Sequence, residues 1–281
     1  MYQAYWGLGE SPFRGNLDQR YFHQGPSQDE ALARLHFLVE ERRTLGMLLG
    51  EPGSGKSLLL EIFSQQLGRV QRQASLVNLV GLSSHEFLWQ LTGQLGVETP
   101  PNVSEFKLAR AMTDFVTANR YQQIATVLLL DDADEARDEV LDQIVRLAQF
   151  DVSRDARLTI VLTAQPQAIG RVGNRLLELA ELRIDLEGWE ADDTAAFVKK
   201  SLALAGRATP VFSEAALVRI HDLSGGIPRR VKQLADLALL AGAGQNLVQI
   251  EAETIDSVYR ELGVVTSAGT LKSGHRAQLV R

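Results

Sequence analysis

Apolar residues along the chain fall into two patterns. Through the first two thirds, short continuous apolar runs alternate with longer stretches that carry apolar residues at helical spacing. The runs that predict strands lie at residues 45–49, 75–80, 124–130, 157–163 and 182–186. Continuous apolar runs are typical of parallel strands buried on both faces. Strands that alternate with helices predict an α/β fold, with a parallel sheet covered by helices on both faces.

The pattern changes after Gly188 and Trp189, where the remaining segments have helical periodicity. We therefore predict an α/β domain at residues 1–188 and a small helical domain at residues 189–262. Residues 263–281 are small and polar, so a flexible tail is expected there.

The first 26 residues are aromatic-rich and interrupted by glycines and Pro12, so no helix is expected in this N-terminal arm. The arm has two interpretations. It packs on the domain surface, or it forms a flap over the base of a nucleotide.

A glycine-rich loop follows the first predicted strand and precedes a predicted helix. It reads G-E-P-G-S-G-K-S and matches the phosphate-binding P-loop pattern G-x-x-x-x-G-K-S. Glycines let backbone amides approach phosphate oxygens, and the helix start adds its positive dipole end. The alternative is a glycine-rich turn with a solvated lysine. The predicted nucleotide-binding residues are Gly50, Glu51, Pro52, Gly53, Ser54, Gly55, Lys56, Ser57 and Leu58.

Two adjacent carboxylates, Asp131 and Asp132, end the strand predicted at residues 124–130. Ligands of open α/β sheets bind at the carboxyl ends of the strands, so these acids are expected to face the P-loop. We assign Mg²⁺ binding to Ser57 and Asp131, contact with the β- and γ-phosphates to Lys56, and orientation of the attacking water to Asp132. The alternative is a solvated acidic turn.

Two further segments carry candidate residues: a polar side chain at the end of the next strand could contact the γ-phosphate, and an arginine at a helix start could bind an anion. Thr163 and Gln165 end the next predicted strand. Arg229 follows Pro228 in the first turn of a predicted helix, where a cation opposes the helix dipole. A bound anion would explain that placement, and a solvated arginine is the alternative.

Composition excludes several classes of protein. The chain has 281 residues, a net charge of -6 and no cysteine, which excludes disulfides and thiol catalysis. An acidic chain has no overall nucleic-acid signature. No apolar run is long enough to cross a bilayer and the N-terminus has no signal-peptide pattern, so a cytoplasmic location is expected.

With these residues in place, the chain resembles AAA+ ATPases of the general secretion pathway protein A (ExeA) type, and more distantly the transposition ATPases. The resemblance rests on the opening M-Y-x-x-Y-W-G-L-x-E-x-P-F, the P-loop, L-L-L-D-D-A, A-Q-P and S-G-G-I-P-R-R-V. It implies a RecA-like sheet with a helical lid, and Thr163 or Gln165 as sensor 1. It implies Arg229 as sensor 2, and Arg183 or Arg175 as a residue that reaches a neighbouring subunit's ATP.

The sequence thus predicts an ATP hydrolase with ATP and Mg²⁺ as cofactors, which drives conformational change or assembly with a protein partner. Members of the family usually carry Glu at the position of Asp132, so a slow basal rate is expected. A homo-oligomer on ATP binding is expected. The alternatives are a DNA-associated regulatory ATPase, which the net charge does not favour, and an ATP-dependent scaffold with little turnover.

Overall fold

The computed structural model of the chain describes residues 2–13, 19–68, 72–98, 100, 102–151, 153 and 155–273, with side chains described through residue 262. The chain divides into two compact units. One is Pro26–Glu187, and the other combines Met1–Gly25 with Gly188–Arg281. Each unit has its own apolar core.

All strands of the sheet belong to the unit Pro26–Glu187 and run parallel. The strands are β1 (Leu45–Gly50), β2 (Arg72–Asn78), β3 (Ala125–Asp131), β4 (Leu158–Ala164) and β5 (Leu182–Leu186). They are ordered β2-β3-β4-β1-β5 across the sheet. The predicted α/β class with a parallel sheet is confirmed.

Helices account for most of the remaining described residues. In chain order they are α1 (Tyr2–Trp6), α2 (Pro26–Glu40), α3 (Lys56–Leu67), α4 (Ser84–Gln94), α5 (Glu105–Tyr121), α6 (Asp138–Ala148), α7 (Asn174–Leu179), α8 (Ala191–Leu204), α9 (Glu214–Ser224), α10 (Pro228–Gly244) and α11 (Ala252–Ser273).

Burial along the strands follows their position in the sheet. β1 and β4 are buried at every residue and β3 at all but its first, whereas β2 and β5 alternate between buried and more exposed residues. The continuous apolar runs therefore correspond to the central strands, because each of these has a neighbouring strand on both sides. Their carboxyl ends, which include Gly50 and Asp131, lie at one edge of the sheet.

The N-terminal arm differs from its prediction. It contains α1 and a 3₁₀ turn at Gln19–Tyr21, so the expectation of no helix is wrong. It also groups with the C-terminal helices instead of the sheet. The reason is Trp6, which is 2% exposed and donates its indole N–H to the carbonyl of Leu239 at 2.8 Å. Tertiary burial, which sequence periodicity does not report, stabilises this short helix.

The segment after β4 forms two short helices, the 3₁₀ helix Pro166–Val172 and α7, because Gly173 adopts a φ of 89° between them. The C-terminal segment differs from its prediction. Helix α11 extends to Ser273, whereas a tail was expected from Gly263. A glycine inside a helix costs only about 1 kcal/mol, so Gly263 does not end it. Residues 274–281 of the expected tail lie outside the described part.

Candidate functional site

The loop between β1 and α3 has the backbone geometry that its glycines predicted. Gly53 and Gly55 have φ values of 87° and 102°, in the left-handed region that favours glycine. A Cβ on Gly55 would meet no heavy atom within 4 Å, so the loop backbone borders open space. At Gly50 a Cβ would lie 2.5 Å from the Ser54 hydroxyl oxygen, so the close turn requires glycine.

Lys56 folds back over this loop. Its ammonium donates to the carbonyls of Gly50 at 2.8 Å and Glu51 at 3.4 Å. The residue is only 7% exposed. A buried ammonium is costly unless it has partners, so the loop's own carbonyls hold the positive charge in place. The alternative of a solvated lysine is therefore wrong.

Asp131 ends β3 and is connected to β4 through Thr163. The Thr163 hydroxyl donates to Oδ1 of Asp131 at 2.5 Å and accepts from the backbone N–H of Asp132 at 2.9 Å. Thr163 is fully buried and Asp131 is 5% exposed. A single hydroxyl therefore orients the carboxylate and the peptide that follows it.

Asp132 has an unusual backbone conformation, and its carboxylate accepts a hydrogen bond from a side chain. Its φ and ψ are 55° and 50°, a left-handed conformation that is uncommon for a non-glycine residue. The amide nitrogen of Asn78, at the end of β2, donates to Oδ2 of Asp132 at 2.8 Å. The strand register explains the contact, because Asn78 is paired with Asp131 across β2 and β3.

The electrostatics of Asp132 favour its protonated form. Burial is the main cause that raises its pKa, and the neighbouring charge of Asp131 acts in the same direction. The hydrogen bond from Asn78 and the charge of Lys56 lower the pKa in opposition. Lys56 and both carboxylates therefore share one electrostatic environment, as the motif spacing predicted.

The turn that follows Asp132 is not a solvated acidic turn. Asp134 is 1% exposed, and neither of its carboxylate oxygens has a hydrogen-bond partner in the described part of the chain. Its charge also raises the pKa of Asp132. Asp134 thus joins Asp131 and Asp132 in a carboxylate cluster, in which Asp131 and Asp134 are buried and Asp132 is partly exposed.

Sequence reasoning missed two contacts at this edge of the sheet. One is Asn78 with Asp132, and the other is the hydrogen bond from the side chain of Gln167 to the Glu51 carboxylate. The second joins the segment after β4 to the P-loop. The sequence does show that a polar residue, Asn78, ends β2. It does not show that β2 pairs with β3, and this pairing is what brings Asn78 to Asp132.

The sensor candidates of this unit have different surroundings. Thr163 is inside the carboxylate cluster, whereas the Gln165 side chain makes no hydrogen bond with any described residue. Arg183 lies within β5 and its guanidinium contacts the Asp185 carboxylate at 2.8–3.0 Å. Arg175 lies on α7 and donates to the side chain of Gln149 at 3.2 Å.

Arg229 lies in the first turn of α10, in the helical unit. Gly226, two residues before the helix, has a packing role. Gly225 and Gly226 have φ values of 62° and 68°, and a Cβ on Gly226 would fall 2.1 Å from the carbonyl oxygen of Trp189. The S-G-G-I-P-R segment therefore sets the start of α10 by close packing on Trp189, and the side chain of Arg229 makes no ion pair with the described residues.

The groups at this edge of the sheet fit Mg·ATP, for three reasons that the structure supplies. Left-handed Gly55 borders open space, the buried Ser54 hydroxyl has no partner among the described residues, and the charges of Lys56 and Asp131 both act on Asp132. Loops that bind anions need this backbone conformation, and Mg²⁺ prefers hydroxyl and carboxylate oxygens.

Within the described residues no helix is long and apolar enough to cross a membrane.

Comparison with known proteins agrees with this geometry. Residues 39–172 match the AAA domain family AAA_22. The chain is 28% identical over 278 residues to General secretion pathway protein A of Aeromonas hydrophila. The aligned region covers 98% of this chain and 51% of that protein. It therefore spans about half the length of this relative. The resemblance predicted from the sequence is confirmed.

Solved structures share the fold at low identity. Drosophila ORC bound to DNA has a TM-score of 0.67 and 17% identity, over 90% of this chain and 66% of that one. Cdc6p of Pyrobaculum aerophilum has a TM-score of 0.66 and 18% identity, over 89% and 70%. ORC1 of Aeropyrum pernix in complex with DNA has a TM-score of 0.65 and 17% identity, over 89% and 68%. The chain has the AAA+ P-loop NTPase fold.

Proposed function

We propose that the chain binds and hydrolyses Mg·ATP at the loop between β1 and α3, and that the cycle drives a conformational change or assembly with a protein partner. The observation that carries this proposal is the arrangement at one edge of the sheet. There, buried Lys56 lies over the glycine loop and in the same electrostatic environment as Asp131 and Asp132.

Each group has a role that follows from its chemistry. The loop amides and the start of α3 bind phosphate oxygens, and the ammonium of Lys56 compensates the β- and γ-phosphate charge. Ser57 and Asp131 would hold Mg²⁺, with Asp131 oriented by Thr163. When bound, Mg²⁺ neutralises charge that develops on the phosphates.

Asp132 is the proposed residue that orients the attacking water. Its carboxylate is one methylene shorter than glutamate, and Asn78 holds it in place. Errors of about 1 Å in position can cost about 10² in rate. These features support a slow basal rate that a partner would increase.

Subunit contacts complete the proposal. By the family resemblance, Arg229 would act as sensor 2 and Arg183 would reach the ATP of a neighbour in an ATP-dependent homo-oligomer. Because Arg183 contacts Asp185 at 2.8 Å, that ion pair would have to open in the oligomer. Mixing Arg183→Ala with Lys56→Ala protein should restore activity, since each variant leaves one half-site intact. Failure to restore it would remove the trans role of Arg183.

Calorimetric titration with ATP tests the site itself. Lys56→Ala should lower ATP affinity by more than about tenfold, because the positive charge over the loop is lost. Lys107→Ala is the matched control, since Lys107 is exposed on α5. Equal ATP affinity in the parent chain and Lys56→Ala would overturn the assignment of the site.

A further inference from the structure

The opposite edge of the sheet, where the strands begin, carries two cavities. The first has a volume of about 220 Å³ and is lined by Arg42, Arg72 and Arg157, and Glu40 is the only carboxylate among the described residues that line it. The second has a volume of about 410 Å³, and Arg157 also lines it. Both cavities lie within the unit Pro26–Glu187, and the proposed ATP site is at the other ends of the same strands.

Charge at this edge is opposite to that of the chain. Four arginines and two carboxylates line the two cavities, whereas the net charge of the chain is -6. Arg72 lies 3.8 Å from Glu40, and Arg120 lies 2.9 Å from Asp151. For Arg42 and Arg157 the described residues supply no hydrogen bond or ion pair to the guanidinium.

Arg42 stands where a helix end favours glycine. It follows α2 with a φ of 54°, in the left-handed region that a long side chain rarely adopts. The carbonyls of Leu38 and Val39 already accept backbone N–H groups, at 2.8 Å from Arg43 and 3.3 Å from Arg42. The Arg42 guanidinium is therefore not needed to cap the helix, and it lines the first cavity, where it is available to an anion.

An aromatic ring borders the second cavity. Tyr121 is 77% exposed, and the guanidinium carbon of Arg120 lies 5.2 Å from the centre of its ring. An exposed ring beside arginines is the arrangement on which unpaired bases stack. An acidic peptide would use the arginines but would leave the exposed ring without a role. A nucleic-acid duplex has no unpaired base that could stack on the ring.

The geometry points to a binding site for single-stranded nucleic acid at this edge of the sheet. Phosphodiester oxygens are bound in the first cavity by Arg42, Arg72 and Arg157, whose planar forks suit phosphate. A base of the same strand stacks on Tyr121. The site is separate from the proposed ATP site and does not depend on hydrolysis.

The test is fluorescence anisotropy of a labelled oligothymidylate of about 20 nucleotides with the full chain, without ATP, at several salt concentrations. Arg42→Gly removes the guanidinium and suits the left-handed backbone, so it should keep or raise the thermal midpoint. It should weaken binding several-fold and reduce the salt slope by about 0.7. Tyr121→Ala should weaken binding about fivefold or more with the slope unchanged, since a stacked base contributes about 1–3 kcal/mol.

The control is Arg110→Ala, an exposed arginine on α5 near Asp114, which should bind like the parent chain. Unchanged affinity of Arg42→Gly, tighter binding of a duplex of the same length, or equal competition by polyglutamate or inorganic phosphate would each overturn the site. ATP affinity of Arg42→Gly, measured by calorimetry, should equal that of the parent chain. A defect confined to oligonucleotide binding therefore separates this site from the proposed ATPase.

Discussion

The side-chain amide of Asn78 donates to Oδ2 of Asp132 at 2.8 Å, and so joins the end of β2 to the residue after β3. The side-chain oxygen Oδ1 of Asn78 accepts from the backbone N–H of Val80 at 3.0 Å, which directs the side-chain nitrogen toward the carboxylate. This contact both orients Asp132 and favours its charged form, because it lowers the pKa that burial raises.

Removing this contact should slow hydrolysis and change its pH dependence. We expect Asn78→Ala to lower turnover at pH 7 by roughly tenfold or more, since the carboxylate is no longer held in position. The carboxylate of Asp132 must be deprotonated to orient water, so turnover increases as pH rises through its pKa. Losing a hydrogen bond that lowers this pKa moves the acid limb of the pH profile to higher pH.

Asn78→Asp should move the acid limb further, because a carboxylate then faces Asp132. The measurement is turnover against pH at saturating Mg·ATP for the three proteins, with ATP affinity as the control. An acid limb at the same pH in all three would show that Asn78 does not tune Asp132.

Substitutions of Asp132 itself separate binding from turnover. Asp132→Asn should keep ATP binding and abolish turnover, whereas Asp132→Glu should keep or raise the basal rate, because the longer side chain brings the carboxylate about 1–1.5 Å closer to the water. Single-turnover phosphate release compares the proteins. If Asp132→Asn hydrolyses ATP as fast as the parent chain, buried Asp134 becomes the next candidate.

The Thr163 hydroxyl should contribute to the free energy of unfolding. Thr163→Val keeps the shape of the side chain but removes both hydrogen bonds, and it leaves an oxygen of buried Asp131 without its partner. Such a group costs about 1–3 kcal/mol in the free energy of unfolding. Denaturant titration should detect this loss, and Thr163→Ser, which keeps the hydroxyl, should recover most of it. Equal losses in both variants would show that packing, not the hydroxyl, is responsible.

Gly226 should be essential to the helical unit. In Gly226→Ala, the new Cβ would lie 2.1 Å from the carbonyl oxygen of Trp189, at a backbone φ of 68°. The start of α10 must then shift, so the thermal midpoint of this unit should fall. Gly244→Ala is the matched control, because α10 has open space there and alanine is the better helix former by about 1 kcal/mol. Equal thermal midpoints for the two variants would contradict the proposed close packing.

A four-residue pattern does not by itself decide how a helix begins. The pattern Ser-x-x-Glu, which is typical of a capping box, occurs at Ser83 and at Ser27. At Ser83 the capping box is present, with the Ser83 hydroxyl accepting from the N–H of Glu86. The same pattern at Ser27 has a different outcome. Pro26 begins α2, and the Ser27 hydroxyl accepts from the N–H of Glu187, 160 residues away. A distant partner can therefore replace a local one, and the four-residue pattern does not report it.

By itself, the sequence determined the alternation of strands and helices, the glycine loop between β1 and α3, and the carboxylates at the end of β3. These depend on neighbours within a few residues, through side-chain periodicity and the freedom of glycine at positive φ. Tertiary structure decided which polar groups meet. Asn78 and Asp132 are 54 residues apart in sequence, and Thr163 reaches Asp131 from the next strand in the sheet. Strand order and register set these contacts, because they result from packing across the whole sheet.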